Sequence, residues 1–323
     1  MIRFALFVVV AYFMSGIGQC FAAETSASVV VTSATQSFSA GFAGELEKVV
    51  AEHEGEMGVY IKHLGTGETF AVNADEPMPT ASTIKAPVMC AAFDLLASGK
   101  GPFKDYYDTR VLDVSTSVGG AGFLQNYRDG TKVELKELMH LMITVSDNFA
   151  TNMLVDWIKI EAVNDWLAAN GFEQTRMFST VFGRQVADAK MRTEWGLGRT
   201  TCREMGRLFE MIYSGKAGTA ESCDEMLRLL GHQYFDGNIA SNVPPTVWVG
   251  SKGGAVNDSR SDCALVSAGG GVYVIVVYTK GNVDKSWRNT NAAELAIGKL
   301  SGMAWRHFEP GSKWERPAGA DKF

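Results

Sequence analysis

Apolar residues recur along this chain at two different periods, and the places where the period changes outline its elements. Arg3 is followed by an unbroken apolar run from Phe4 to Met14, which ends at Ser15, Gly16 and Gly18 and leaves through small Ala22 and Ala23. Residues 24–36 are rich in Ser, Thr, Ala and Val and read as a leader. Phe42, Leu46, Val49 and Val50 then recur at helical spacing, which predicts an amphipathic helix to about residue 53. Residues 58–63 and 69–72 read as two strands, with Gly65-Thr66-Gly67 as the turn between them. From Ser82 to about residue 242 the pattern is helical, clearest over 83–98, 133–145, 148–158, 161–169, 202–214 and 222–231. Apolar, mostly β-branched strands return over 247–250, 263–268 and 272–279, with Gly269-Gly270-Gly271 turning the last two. A helix over 291–306 and a polar tail carrying Pro310 and Pro317 complete the chain.

Strands at both ends with a long helical stretch between them predict a two-lobed α/β protein. If the ends share one sheet, a cleft lies where the helical insert leaves and returns. The boundaries expected are a signal peptide over 1–22, a leader over 23–36, an α/β lobe from 37–81 and 246–306, a helical lobe from 82–245, and the tail 307–323.

The composition narrows the field. With 323 residues, 46% hydrophobic and 20% charged, the chain is neither disordered, collagen-like nor a small disulfide scaffold. Its formal charge of -6, without a cluster of Lys or Arg, argues against a nucleic-acid partner. One basic residue, a short apolar run and a small-residue exit describe a secretory signal rather than an anchor, because the run falls short of a membrane span. The expected mature protein begins near Ala23 and is exported, periplasmic or extracellular, without a stable membrane span. Cys90, Cys202, Cys223 and Cys263 would remain, and an even count in an exported protein invites disulfides. Cys90 and Cys263, however, lie inside apolar runs and read as small core residues. No His and Cys cluster has metal-ligand spacing, so neither a metal nor a cofactor is expected.

Candidate chemistry sits in three short motifs. In Ser82-Thr83-Ile84-Lys85, residues i and i+3 share a helix face, so the lysine amine is positioned to reach the serine hydroxyl. A helix N-terminus there favours a developing alkoxide and disfavours the ammonium form of Lys85. The second motif, Ser146-Asp147-Asn148, falls between two helical runs and is also a plausible N-cap sequence. The third, Ser251-Lys252-Gly253-Gly254, ends a strand and alone reads equally as a turn with an exposed lysine. Their order, at the start, middle and return of the insert, is what makes the set informative.

Together these motifs resemble those of the class A β-lactamase family, within the penicillin-recognising serine enzymes. The run Ala81-Ser82-Thr83-Ile84-Lys85-Ala86-Pro87-Val88 is similar to the family's nucleophile helix. Leu138, Met139, Leu141, Met142 and Ile143 lead into Ser146-Asp147-Asn148-Phe149-Ala150-Thr151-Asn152 as the corresponding helix does there. Thr200-Thr201 resembles the family's paired threonines, and Lys252-Gly253-Gly254 falls where it carries Lys-Thr/Ser-Gly. The likeness spans residues 40–305. It implies a β-lactamase/transpeptidase-like fold of two lobes, an antiparallel β-sheet flanked by helices plus an all-helical insert.

The resemblance also implies roles. Ser82 would be acylated by a strained amide, with Lys85 removing its proton and Ser146 relaying one to the leaving nitrogen. The N–H groups of Ser82 and Ala255 would form the oxyanion hole. Asn148 would bind the substrate's acylamide and Lys252 its carboxylate, beside Gly254. The expected partner is a small-molecule β-lactam or a cell-wall peptide, and the expected state a monomer.

Two departures stand out. Counting back from Thr200, Arg184 resembles the family's loop arginine, and Val186 falls about where a glutamate positions the deacylating water. The only acids in 176–199 are Asp188 and Glu194, which are candidate substitutes, although a solvated or salt-bridged surface role is the commoner one for such residues. Gly253 lacks a hydroxyl that helps hold the carboxylate, a loss of about 1.5–3 kcal/mol, for which Arg260 is a candidate replacement. The expectation is therefore a serine hydrolase forming an acyl-enzyme at Ser82 and opening β-lactams, with slow deacylation. The alternatives are a cell-wall D-alanyl peptidase, transpeptidase or esterase, and a penicillin-binding sensor that stays acylated.

Overall fold

Antiparallel pairing joins the two ends of the chain, as the strand pattern predicts. The computed structural model describes residues 38–320, so the signal-peptide and leader readings lie outside the described residues. Helix α1 (Ala40–Ala51) precedes the hairpin of β1 (Glu56–His63) and β2 (Thr69–Val72). Short β3 (Met78–Pro79) leads into a 3-10 turn, Ala81–Ile84, which runs directly into α2 (Lys85–Ser98). Next come β4 (Thr109–Val111), β5 (Lys132–Glu134), α3 (Leu135–Thr144), α4 (Asn148–Ile158) and α5 (Ile160–Ala169). The loop region holds β6 (Arg176–Met177), α6 (Ala189–Trp195) and β7 (Gly198–Thr200), followed by α7 (Cys202–Tyr213) and α8 (Ala220–Gly231). Strands β8 (Val249–Val256), β9 (Ser259–Ala268) and β10 (Gly271–Lys280) and helix α9 (Ala292–Phe308) complete the described chain.

The main sheet has the order β2-β1-β10-β9-β8, all antiparallel, with Val59 opposite Val277 and Lys252 opposite Cys263. Alternation along the strands separates two cores. Val59, Ile61, Ala264, Val266, Ile275 and Val277 pack on Leu46 and Val49 of α1 and on Ile297, Leu300 and Ala304 of α9. Tyr60, Cys263, Leu265, Val274, Val276 and Tyr278 face the other way, into the core of the helical lobe. Because β10 is buried on both faces, it reads as one continuous apolar run.

Helix α7 closes this second face. A Cβ at Gly206 would lie 2.4 Å from the Tyr60 ring, so only glycine lets the helix approach the sheet this closely. The helical lobe is therefore keyed to the sheet by α7, while α2 to α5 and α8 form the rest of it. No described helix is long and apolar enough to cross a membrane. The four described cysteines are free and buried, in keeping with the core reading of Cys90 and Cys263.

The structure departs from the sequence reading chiefly around β8 and β9. β8 runs to Val256 instead of ending near residue 250, so Lys252, Gly253 and Gly254 lie within a paired strand. β9 begins at Ser259, four residues ahead of the apolar run. Arg260 and Asp262 precede that apolar run, and both are buried with polar partners supplied by distant segments. Tertiary context here overrides propensity.

Candidate active site

The 3-10 turn that carries Ser82 is pinned from two sides. The Thr80 N–H donates to Gly198 O at 2.9 Å, extending the β3–β7 pairing, and Thr83 Oγ1 lies 2.5 Å from the buried Tyr278 hydroxyl. Between them Ala81 adopts φ 42, a left-handed conformation for a residue with a Cβ. Ser146, in the facing loop, has φ 52. Strain of this kind persists where surrounding structure over-determines it, commonly at functional sites.

Lys85 begins α2 and is fully buried. Its Nζ donates to Ser146 O at 2.6 Å, Ser146 Oγ at 3.1 Å and Asn148 Oδ1 at 2.9 Å. These bonds to the Ser146 loop and Asn148 stand in place of the expected direct link to Ser82. Burial, reinforced by the charge of Lys252 and opposed by Asp147, holds the Lys85 amine well below the usual lysine range.

Asp147 explains why that loop keeps its shape. Its Oδ1 caps α4 by accepting from the Ala150 N–H at 2.8 Å. Its Oδ2 accepts from the N–H groups of Phe123 and Leu124 at 2.7 and 2.8 Å. Gly122, at φ 106, is required here, since a Cβ would lie 2.2 Å from Asp147 Cγ. Asn148 is held on its other side by Nδ2 donating to Gly119 O at 3.1 Å.

From β8, Lys252 Nζ donates to the same Ser146 Oγ at 3.1 Å and to Gly253 O at 2.9 Å. Burial lowers its amine to about 8, opposed by Asp262 and then Cys263. Ser146 Oγ thus accepts from two lysines, which leaves its own O–H as a donor to anything entering the cleft. At Gly254 a Cβ would lie 3.0 Å from Ser82 N and 2.9 Å from Thr80 O, so glycine lets the strand lie against the nucleophile's backbone. Ala255 follows it on the same strand, opposite Arg260.

Four residues require correction of their sequence-based placement. Arg260 alternates to the sheet face opposite Lys252 and Gly254, where its guanidinium pairs with Glu294 at 3.0 Å and donates to the carbonyls of Val256, Ser259 and Ser286. It stacks on Trp287 as well, and it is not available to a carboxylate in the cleft. Asp188 is an exposed N-cap, accepting from the Met191 N–H at 2.9 Å, and Glu194 is exposed on α6, so neither is directed at Ser82 or Lys85. Val186, 40% exposed, is bridged to Ser179 instead of facing α4.

The loop segment that does meet the site helix is 180–183. Asn152, one turn beyond Asn148 on α4, donates from Nδ2 to Val181 O at 3.1 Å and accepts from Val181 N at 2.8 Å. Val181 is the buried, apolar residue thereby held against the helix. Asn152 and Asp262 escaped the sequence reading. Asn152 lay in the motif run itself, at the spacing of one further helical turn from Asn148, which was the usable signal; Asp262 carried none.

Comparison with known proteins agrees with this geometry. The model of the beta-lactamase enzyme family matches residues 41–308. The chain belongs to that family. A β-lactamase of Streptomyces fradiae is 26% identical over 87% of this chain and 92% of its own length. The solved β-lactamase of Sphaerobacter thermophilus is 28% identical and covers 83% of this chain and 97% of its own, with a TM-score of 0.73. A variant of PBP-A, solved as an acyl-enzyme complex with penicillin-G, has a TM-score of 0.74 over 85% of this chain and 98% of its own at 21% identity, a likeness of fold. This family member is accordingly a β-lactamase-like serine hydrolase.

Proposed function

We propose that Ser82 attacks the carbonyl of a β-lactam amide and is acylated, and that deacylation is slow. The observation that carries this reading is the convergence of Lys85 and Lys252 on Ser146 Oγ, at 3.1 Å each, beside a serine whose N–H abuts Gly254. Lys85, favoured as a neutral amine by burial, accepts the Ser82 proton as the Oγ–C bond forms. The N–H groups of Ser82 and Ala255 stabilise the oxyanion, and a donor of this type is worth roughly 3–4 kcal/mol. As the C–N bond breaks, the Ser146 hydroxyl gives its proton to the leaving nitrogen and regains one from the lysine pair. Lys252 exchanges Gly253 O for the substrate carboxylate, and Asn148 Nδ2 exchanges Gly119 O for the acylamide carbonyl.

Hydrolysis of the acyl-enzyme needs a base for water on the side of the 180–183 segment, and Val181 supplies none. That observation favours a second reading, a penicillin-binding enzyme of cell-wall D-alanyl peptides or a sensor that stays acylated. Stopped-flow hydrolysis of a chromogenic cephalosporin with intact-mass detection separates the two. A burst of one product per enzyme with slow steady turnover supports the first, and a lasting adduct the second. Absence of both burst and adduct refutes acylation at Ser82 by β-lactams. The N-terminal apolar run supports export, which N-terminal sequencing of secreted protein tests; a start at Met1 overturns it.

A further inference from the structure

Two buried lysines share one hydroxyl in this site, and neither has a carboxylate within ion-pair distance among the described residues. Their nitrogens are at most about 6 Å apart, so two ammonium groups would repel strongly in this dry setting. A site of this kind works only if the pair holds one proton at a defined end. Charge buried without compensation is normally neutralised, so something must fix which lysine keeps the proton.

On the helical side the buried carboxylate of Asp147, held by the N–H groups of Ala150, Phe123 and Leu124, favours charge on Lys85, but burial and the charge of Lys252 outweigh it. The sheet side holds the carboxylate that acts on Lys252. Asp262, 3% exposed, stands opposite Gly253 in the β8–β9 register, so its side chain lies on the face of Arg260, across the sheet from Lys252 and one residue from the Lys252–Cys263 pair. Because residue 253 has no side chain, Asp262 Oδ1 lies 3.7 Å from where its Cβ would be, directly alongside the strand that carries Lys252. Oδ2 accepts from Ile239 N at 3.1 Å and Oδ1 from Cys263 N at 3.0 Å, both of which favour a carboxylate.

Every other charged group near Asp262 is committed or of the wrong sign. Arg260, two residues away on the same face, is bound to Glu294 and three backbone carbonyls. Glu294 on α9 opposes ionisation, and the buried Cys263 thiol is pushed well above its usual range. On the far side Lys252 faces Lys85 of α2 across Ser146. We infer that Asp262 is the positioning residue of Lys252: its carboxylate is the countercharge that keeps Lys252 the ammonium and leaves Lys85 the free amine. The assignment deepens the proposed acylation by giving the two lysines separate duties. In support, burial raises the Asp262 carboxyl to about 7 while the Ile239 N–H and Lys252 pull it down, and Asp262 is the leading influence holding Lys252 up.

Asp262→Asn in the full mature chain tests this, with 13C-labelled lysine followed by NMR and the Lys252 signal assigned by its loss in Lys252→Arg. The Lys252 midpoint is expected to fall by at least one pH unit. The second-order rate of labelling by a fluorescent penicillin should then drop about fivefold at pH 8, with little change at pH 6. An unmoved Lys252 midpoint overturns the inference, as does a rate loss that is uniform in pH, the signature of a merely structural side chain. If the variant does not fold, the wild-type titration still decides, since a Lys252 midpoint below that of Lys85 contradicts the assignment. If penicillin fails to label wild type, the proposed acylation falls, while the NMR titration still judges Asp262.

Discussion

The Ser82–Ser146–Lys252 cluster and the loop from 176 to 197 border the same helix, yet they are built differently. The first is dry and cross-linked: two left-handed residues, two buried lysines and one hydroxyl between them, with Gly254 and Gly122 permitting close backbone approach. The loop meets α4 through the backbone of Val181, spends Asp188 on a helix cap and leaves Glu194 in solvent. Under the proposed mechanism the contrast assigns bond making to the first region, and in the second neither Asp188 nor Glu194 is directed at the site. Proton-transfer chemistry needs titratable groups in fixed geometry, and only one of the two regions provides them.

The contrast is broken most directly at the nucleophile. Ser82→Ala should abolish covalent labelling by a fluorescent penicillin, and persistent labelling would remove Ser82 from its role. Lys85→Ala should slow acylation by about 10²–10⁴-fold, the usual worth of a general base, with an unchanged melting temperature. The wild-type pH profile carries the same test. If Lys85 acts as the proposed neutral amine, with its midpoint lowered by burial, acylation rises as pH passes that midpoint. It falls again as Lys252 loses its proton near its midpoint of about 8. A profile rising steadily to pH 10 contradicts this division.

The loop side is sharpened by adding what it lacks. Val181→Glu should raise steady-state turnover by roughly 10-fold or more, in the range of general base catalysis, whereas Val186→Glu should not. Equal gains from both would mean that the Asn152 clamp does not define the position that matters. The smallest effect belongs to Asp188→Asn and Glu194→Gln, which should leave turnover within twofold; a burst created by either would place a working carboxylate in the loop after all.

How far the sequence could be read follows the same divide. The apolar run of β10 and the start of α4 at Asn148 were legible because burial and N-capping leave local patterns. The Ser82, Ser146 and Lys252 motifs were legible as an ordered set. Arg260 was misplaced because strand alternation turns on a single residue, and the beginning of β9 was hidden by charges whose partners lie on α9 and in distant loops. Val186 was misplaced because counting back from Thr200 ignores α6, which occupies residues 189–195 and shifts what precedes it. Its sequence has no apolar period, since none of its residues is buried.

The four free cysteines among the described residues have a consequence for where this protein can be made. Cys90, Cys202, Cys223 and Cys263 are all interior, burial pushes the Cys202 thiol up to about 12, and Cys90 and Cys263 lie well above the ordinary range. Since the thiolate is the species that oxidises or exchanges, folding itself shields these sulfurs. The native chain should therefore mature identically with or without reductant, needing neither an oxidase nor an isomerase. For these four thiols the exposure is confined to the nascent chain, when they must reach the interior before they meet one another.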